Sequence, residues 1–484
     1  MRISSGTHLR LWALALLIVA SNSMFAANWY VKQAGNNVNS GASWANAKAS
    51  IHEMVNSPNV SNGDIIFIEG GIYTEQVIIG NKSITLLGSQ NAGNGITRTT
   101  IASPAYSALT SYTFGTGLSW NGAGRLSSNT IRPVVFVNAT SSSVSVNIKQ
   151  IDITGSGANM SEASTDMLVG LAYRFAGGTV GGSGADQVNI SNINTTSESN
   201  GLNNAFGAMI LTRSSVTFSH VIVEDYRNAG IAVVGENLSS ASSVIANQPN
   251  PTIIDCEVKG KTINSVSSGD FIQSGILIAN GARATVKRTL VWQNRTNESN
   301  SSSDRFAYGI YLNDARTVLI GETTTNKSNG NLITDNEIGI YVRINSTAVS
   351  ATGYTIRQNT IAYNGNETPS GRIAGYGSET AQNTTYGAIR FNHAPVTNQT
   401  LSVTNNAWGN SEAHFFFSAN VTTADYLPAA YDGNRVAFWN KDKNDQITFA
   451  SPLSPYMARH CMFIRVIHRR MQYREQAVQQ MVLA

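Results

Sequence analysis

Asn331-Leu332-Ile333-Thr334-Asp335-Asn336-Glu337-Ile338-Gly339-Ile340-Tyr341-Val342 holds two short apolar runs, a polar turn between them, and a glycine followed by apolar, any residue, apolar. The glycine phrase recurs at Gly207-Ala208-Met209-Ile210, Gly230-Ile231-Ala232-Val233, Gly275-Ile276-Leu277-Ile278 and Gly309-Ile310-Tyr311-Leu312. Successive glycines are 23, 45, 34 and 30 residues apart, which reads as one coil, then two coils, then two single coils lengthened by insertions. Units that cannot bury a face alone and recur along a chain build a solenoid. No helical stretch separates the short runs, so strands do the stacking. The expectation is an all-β chain: a single-stranded right-handed parallel β-helix.

Composition agrees with a chain of short strands and tight turns. Charged residues make up 13% of the 484, about half the share usual in soluble domains, and Asn, Ser and Thr fill the middle. Asn tolerates left-handed backbone and bonds its own main chain, so Asn336, Asn359, Asn364 and Asn406 are expected at turns. The polar stretches 297–304 and 366–385 are expected to leave the coil as loops.

Upstream, Ser43 to Val55 carries apolar residues at helical spacing behind a serine, which predicts one amphipathic helix capping the solenoid's N-terminal end. Pro58 ends it. Residues 64–69, 76–79 and 83–87 read as strands bounded by Gly or Asn. Before them, Arg2 and Arg10, the apolar run from Leu11 to Ala20 and the small-residue end Ser21-Asn22-Ser23-Met24-Phe25-Ala26-Ala27 have the zones of a secretory signal, with cleavage expected near Ala26. The apolar run is too short to span a bilayer, so no transmembrane segment is expected in the mature chain.

Charge is unevenly placed. Of 33 Lys and Arg, seven lie in residues 1–27 and 457–484, against one of the 29 Asp and Glu; 26 basic and 28 acidic residues remain between. A body near −2 carries no electrostatic footprint for nucleic acid. The tail 457–484 has no Gly, Asn, Ser or Thr, and its basic composition reads as a truncated or frame-shifted end, the alternative being a basic helix that contacts a membrane or a partner. The expected division is therefore 1–27 signal peptide, 28–420 β-helix, 421–456 a C-terminal β-type extension and 457–484 an atypical basic tail. Two cysteines, Cys256 and Cys461, exclude a disulfide framework.

The runs Gly63-Asp64-Ile65-Ile66-Phe67-Ile68, Gly71-Ile72-Tyr73-Thr74-Glu75-Gln76-Val77 and Ile84-Thr85-Leu86-Leu87-Gly88 resemble the N-terminal opening of the pectin-lyase-like right-handed parallel β-helix superfamily. Residues 331–340 resemble its generic coil repeat, of the kind that recurs in secreted bacterial β-helix repeat proteins, and Asn405-Asn406-Ala407-Trp408-Gly409-Asn410 is similar to a phrase near the end of many of them. The resemblance covers about residues 28–420. It implies a secreted or cell-surface protein with an extracellular polysaccharide, acidic in one reading, as its partner; the reaction stays open, because the superfamily includes lyases, hydrolases, esterases, epimerases and non-catalytic surface proteins.

The motifs narrow that range. There is no Asp-Asp pair of the hydrolase kind and no Trp-Ile-Asp-His phrase of the pectate lyase kind; Asp270-Phe271-Ile272-Gln273-Ser274-Gly275 is a partial echo of the esterase motif without its partners. Strand alternation puts Ile310, Leu312, Ile340 and Val342 in the core and Tyr311, Asn313, Tyr341 and Arg343 outward, with Arg390 and Asn392 in the same row. Tyrosine stacks on sugar rings and arginine grips carboxylates in a bidentate way, so Tyr311, Tyr341, Arg343, Arg390, Asn313 and Asn392 are the expected substrate-binding row. Tyrosine as an ordinary strand former and arginine as a solubilising residue is the rival account. Arg390, Arg343, Asp314 and His393 are the candidates for catalysis, uronan lyase-like if the protein is an enzyme; the alternative is a non-catalytic adhesive scaffold. No metal site is assigned, although Ca2+ fits the lyase reading and Asn440, Asp442 and Asn444 begin a calcium-loop spacing that Asp445 interrupts.

Overall fold

The computed structural model describes residues 26–90, 95–114, 129–158, 166–194, 205–235, 248–264, 272–297, 306–322, 330–344, 353–362, 364, 367–368, 371–372, 387–393, 400–404, 406–409, 415–417, 426–431, 434–439 and 446–449. Nearly all of it is strand, in three long sheets of 13, 10 and 11 strands. The first sheet begins at Asn28–Val31 and Ile65–Glu69, the second at Gly71–Thr74, the third at Val77–Ile79. Each strand pairs in parallel with its counterpart in the next coil, as Ile231↔Ile276, Ile276↔Ile310, Ile310↔Ile340 and Ile340↔Ile389 show for the third sheet. That is a parallel β-helix.

The core is columnar. In the first sheet Ile66, Leu86, Ile148, Val180, Phe218, Ile253, Val286, Ile320 and Ile356 stack in register, and all are buried. Each such side chain contributes about 1.5–3 kcal/mol by leaving water. The recurring glycines form a column of their own in the third sheet, where Gly170, Gly207, Gly230, Gly275, Gly309 and Gly339 succeed one another. A Cβ at Gly275 would lie 2.4 Å from Val291 Cγ1 of the second sheet and 2.6 Å from Gly309 O. The cross-section is simply too narrow there for a side chain. Gly230 and Gly275 are direct neighbours, so the 45-residue interval is one enlarged coil and not two: the extra length is connection, not a further turn of the solenoid.

Corners repeat as strictly as strands. Between the first and second sheets His220, Asp255, Arg288 and Gln358 take left-handed backbone, with φ of 44° to 64°. Directly after or near these residues, side-chain ladders run along the axis. Asn331 Nδ2 donates to Asn359 Oδ1 at 2.8 Å, and Asn359 Nδ2 to Asn406 Oδ1 at 2.9 Å. At the next corner Asn294 Nδ2 donates to Asn336 Oδ1 and Asn336 Nδ2 to Asn364 Oδ1. The asparagines are turn residues as expected, but their amides bridge coils while Asp335 and Gln358 before them adopt the left-handed conformation. Buried polar groups must be paired, and a ladder pairs each rung twice.

The N-terminal helix is shorter than its sequence pattern. Only Ile51–Val55 is helical, and Ser50, not Ser43, is the N-cap, its side chain accepting from Glu53 N. Residues before it are committed elsewhere: Asn46 N donates to Ser43 O in a turn, and Lys48 bridges to Val31. Ile51, Met54 and Val55 are buried with the core. Cys256 occupies the same corner column as Thr289 and Asn331, and burial pushes its thiol up to about 12, so it is an inert small core residue. Tyr426–Tyr431 and Asn434–Trp439 form an antiparallel pair, while Gln446–Phe449 joins the first sheet beside Thr400–Thr404. The tail 457–484 and the Asn440 to Asp445 segment lie outside the described residues. Among the described residues no helix is long and apolar enough to cross a membrane.

Candidate functional site

Six of the longer connections meet at one corner, while another, 235–251, runs from the third sheet to the first. Residues 103–129, 155–166, 192–204, 260–271, 293–305 and 363–386 all run from a strand of the second sheet to one of the third. The third sheet is therefore the face on which sequence has been added.

Its outward side carries the expected row. Tyr311, Tyr341 and Arg390 are consecutive partners along the axis, and so are Asn313, Arg343 and Asn392. Ile310, Leu312, Ile340 and Val342 face the core, so the alternation reads correctly. His393 pairs with Ile344, one step beyond the row. The side chains of Arg390, Asn392 and His393 lie outside the described residues.

Exposure does not follow the expectation. Tyr311 is 0%, Asn313 0% and Tyr341 5% exposed. The two tyrosines belong to a second apolar cluster on the outward side of the third sheet, which runs from Phe136 and Met167 through Phe206, Met209 and Leu277 to Tyr308. Alternation tells which residues leave the solenoid's interior; it does not tell whether they then meet water. Tyr311, Asn313 and Tyr341 lie in a buried layer, and the two tyrosines are not open rings awaiting a sugar.

Three rings stack in that layer. Tyr308 and Tyr341 lie 4.7 Å apart at 22°, Tyr311 and Tyr341 5.0 Å apart at 19°. Sequence reasoning missed Tyr308, whose signal was its place immediately before Gly309. The Tyr311 hydroxyl reaches Asn313 Oδ1 at 3.3 Å and is hydrogen-bonded with the Arg343 guanidinium. Burial drives the Tyr311 pKa upward, so the phenol stays neutral. Arg343 is only half-buried. Burial pulls its pKa down, but Tyr311, Tyr341 and Asp314 outweigh that and carry it above the ordinary value. Two donors here have no partner among the described residues, Arg343 Nε and Asn313 Nδ2. Asp314 is buried with left-handed backbone at φ 49°, at the corner leading to the first sheet.

The Arg343 cation attracts an anion, and a planar guanidinium suits a carboxylate. Among the described residues no group of three His, Cys, Asp or Glu is placed to hold a metal ion.

The three parallel sheets form a parallel β-helix. No protein-family model matches the chain, and no curated protein does. Similar solved structures include XylC in complex with xylose (9% identity, TM-score 0.38, covering 81% of this chain and 66% of that one). Others are pectate lyase Pel9A (13%, 0.34, 84% and 84%) and the GH136 lacto-N-biosidase from Eubacterium ramulus (10%, 0.42, 91% and 70%). The likeness concerns the fold alone.

Proposed function

We propose that this chain is an exported β-helix protein that binds or processes an extracellular polysaccharide, with the third sheet's outward side around Phe306–Asn313, Ile338–Ile344 and Gly387–His393 as its working face. The observation that carries this reading is Arg343: a partly buried guanidinium hydrogen-bonded with Tyr311 beside the stacked Tyr341 ring, its Nε and the Asn313 Nδ2 without a partner among the described residues. Such a seat favours a glycan bearing carboxylates. If the protein is catalytic, the chemistry is uronan lyase-like: the Arg343 cation pairs with the uronate carboxylate, one of the candidates Arg390, Asp314 and His393 takes the adjacent C5 proton, and the C4–O glycosidic bond breaks to leave a C4=C5 double bond, the departing oxygen taking up a proton. Calcium belongs to this reading as an added carboxylate neutraliser. The helix Ile51–Val55 is proposed as the cap of the first coil.

The exported chain should be incubated with pectate, alginate and neutral glycans, with and without calcium, while the ultraviolet absorbance of unsaturated sugar ends is followed. A rise that disappears in Arg343→Ala or Arg390→Ala supports a lyase at this face. Retardation in acidic-glycan gels without a rise supports a binder. The burial of Tyr311 and Tyr341 favours a second reading, a non-catalytic cell-surface scaffold, and neither rise nor retardation on any glycan would select it.

A further inference from the structure

Ala27 is fixed from both sides. Its N–H donates to Asp64 Oδ1 at 2.8 Å, and its carbonyl accepts from Ile65 N at 2.9 Å. The other oxygen of Asp64 takes Trp29 Nε1 and Ser61 N, each at 2.8 Å. Asp64 is 4% exposed. Burial would raise its pKa, yet the bonds from Ser61, Trp29 and Ala27 and the charge of Lys82 hold it below the usual carboxylate value, so it is ionised. Its direct partners are neutral, and the Lys82 ammonium donates to Val55 O and Ser57 O. The carboxylate is thus held by neutral donors at contact distance, and its one cationic neighbour, Lys82, acts on it through charge alone. Ala26, by contrast, is exposed, and it ends the small-residue run read above as the close of an export signal.

We propose that the chain is cut between Ala26 and Ala27, and that the freed α-amine of Ala27 becomes the cation of Asp64. Water adds across the amide: Ala26 leaves with the leader as a carboxylate, and Ala27 keeps the nitrogen, protonated because α-amines titrate near 8. The peptidase of the export route supplies the catalysis. Ala27 need not move, since Asn28–Val31 already pairs with Ile65–Glu69; a hydrogen bond from an uncharged amide to the carboxylate becomes an ion pair with a full positive charge on the nitrogen. Processing thereby fastens the solenoid's first edge strand, the position most open to fraying or to pairing with another chain. The inference is independent of the glycan reading.

N-terminal sequencing of the exported protein should return Ala27; any other first residue overturns the proposal. Hydrogen exchange of the Asn28–Val31 amides should then be compared among the mature protein, a form with one extra glycine before Ala27, and a form acetylated at Ala27. The latter two should exchange about tenfold faster at pH 7, the equivalent of about 1.4 kcal/mol. Pairing raises the folded-state pKa of the amine, so its protection is complete below about pH 8 and is lost as pH rises through the folded value. The charged groups facing it are Asp64, on the turn into Ile65–Glu69, and Lys82, on the turn before Thr85–Gln90. Equal exchange in all three forms at pH 7 overturns the pairing even when the N-terminus is Ala27. Asp64→Asn should behave like the acetylated form; if it does not fold, the extended and acetylated proteins, which keep Asp64, still decide.

Discussion

On the outward side of the third sheet one column reads Phe136, Ala172, Met209 and Ala232 in the earlier coils, then Leu277, Tyr311, Tyr341 and Arg390 further along the axis. The inward column beside it reads Val135, Leu171, Ala208, Ile231, Ile276, Ile310, Ile340 and Ile389, apolar from end to end. Equivalent backbone positions are thus filled uniformly where the solenoid needs its core and differently where it does not. The early coils use the outward side to bury more hydrocarbon; the later coils put hydroxyls, amides and guanidinium on the same lattice. Function is to be sought where a column changes character, not where it repeats.

Removing Phe136 should have the largest effect. It is fully buried and contacts Tyr112 and Phe114 edge-on, so Phe136→Ala should cost about 3–5 kcal/mol, measured by denaturant unfolding, while leaving glycan retention by the folded fraction unchanged. A loss of retention would erase the proposed distinction between the two ends of the face. Asn359→Ala tests the lattice itself: it strips the partners of Asn331 Nδ2 and Ile320 O and should cost about 1–3 kcal/mol for each buried group left unpaired. Arg343→Ala should barely move the unfolding midpoint but reduce retention in acidic-glycan gels about tenfold, the equivalent of about 1.4 kcal/mol. Arg343→Lys should not restore it, because an ammonium lacks the planar fork.

The smallest effect belongs to a corner remote from this face. Asp255 accepts two hydrogen bonds from Arg288, each 2.6 Å, and these, with the Arg288 charge, hold its carboxyl below the usual range against partial burial. A depressed folded-state pKa means that its stabilisation is present above about pH 4 and is lost as pH falls through the folded value. Both side chains are partly exposed, so the loss in Asp255→Asn at neutral pH should be about 0.2–1 kcal/mol. Thermal unfolding of the wild type and the variant should converge in acid. Glycan retention should not change.

Much of the fold was legible because its constraints are steric and local. A glycine every coil marks where Val223, Val258 and Val291 press inward, and alternation after it separates Ile310 and Leu312 from Tyr311. Coil length was less legible, since the chain between Gly230 and Gly275 spends residues on connections that leave no trace in the pattern. The order of the site row was readable; its burial was not, although Met209 and Leu277, apolar at outward positions, were a sign of a second covered layer. The Asp255–Arg288 pair and the asparagine ladders depend on which coil lies beside which, and that register exists only once the chain is wound.

Those ladders bear on how the molecule comes apart. Each asparagine rung ties one coil to the next, so in the later coils the unit that melts is not the single turn but the run of turns the amides join. Earlier in the same corner column Cys256 and Thr289 stand where Asn331, Asn359 and Asn406 stand later, and neighbouring turns there have fewer such ties. Stability in a solenoid is a sum over nearest-neighbour interfaces. A boundary between wound and unwound chain should therefore advance readily through the early coils and stall at Asn331, making one continuous helix behave as two cooperative blocks.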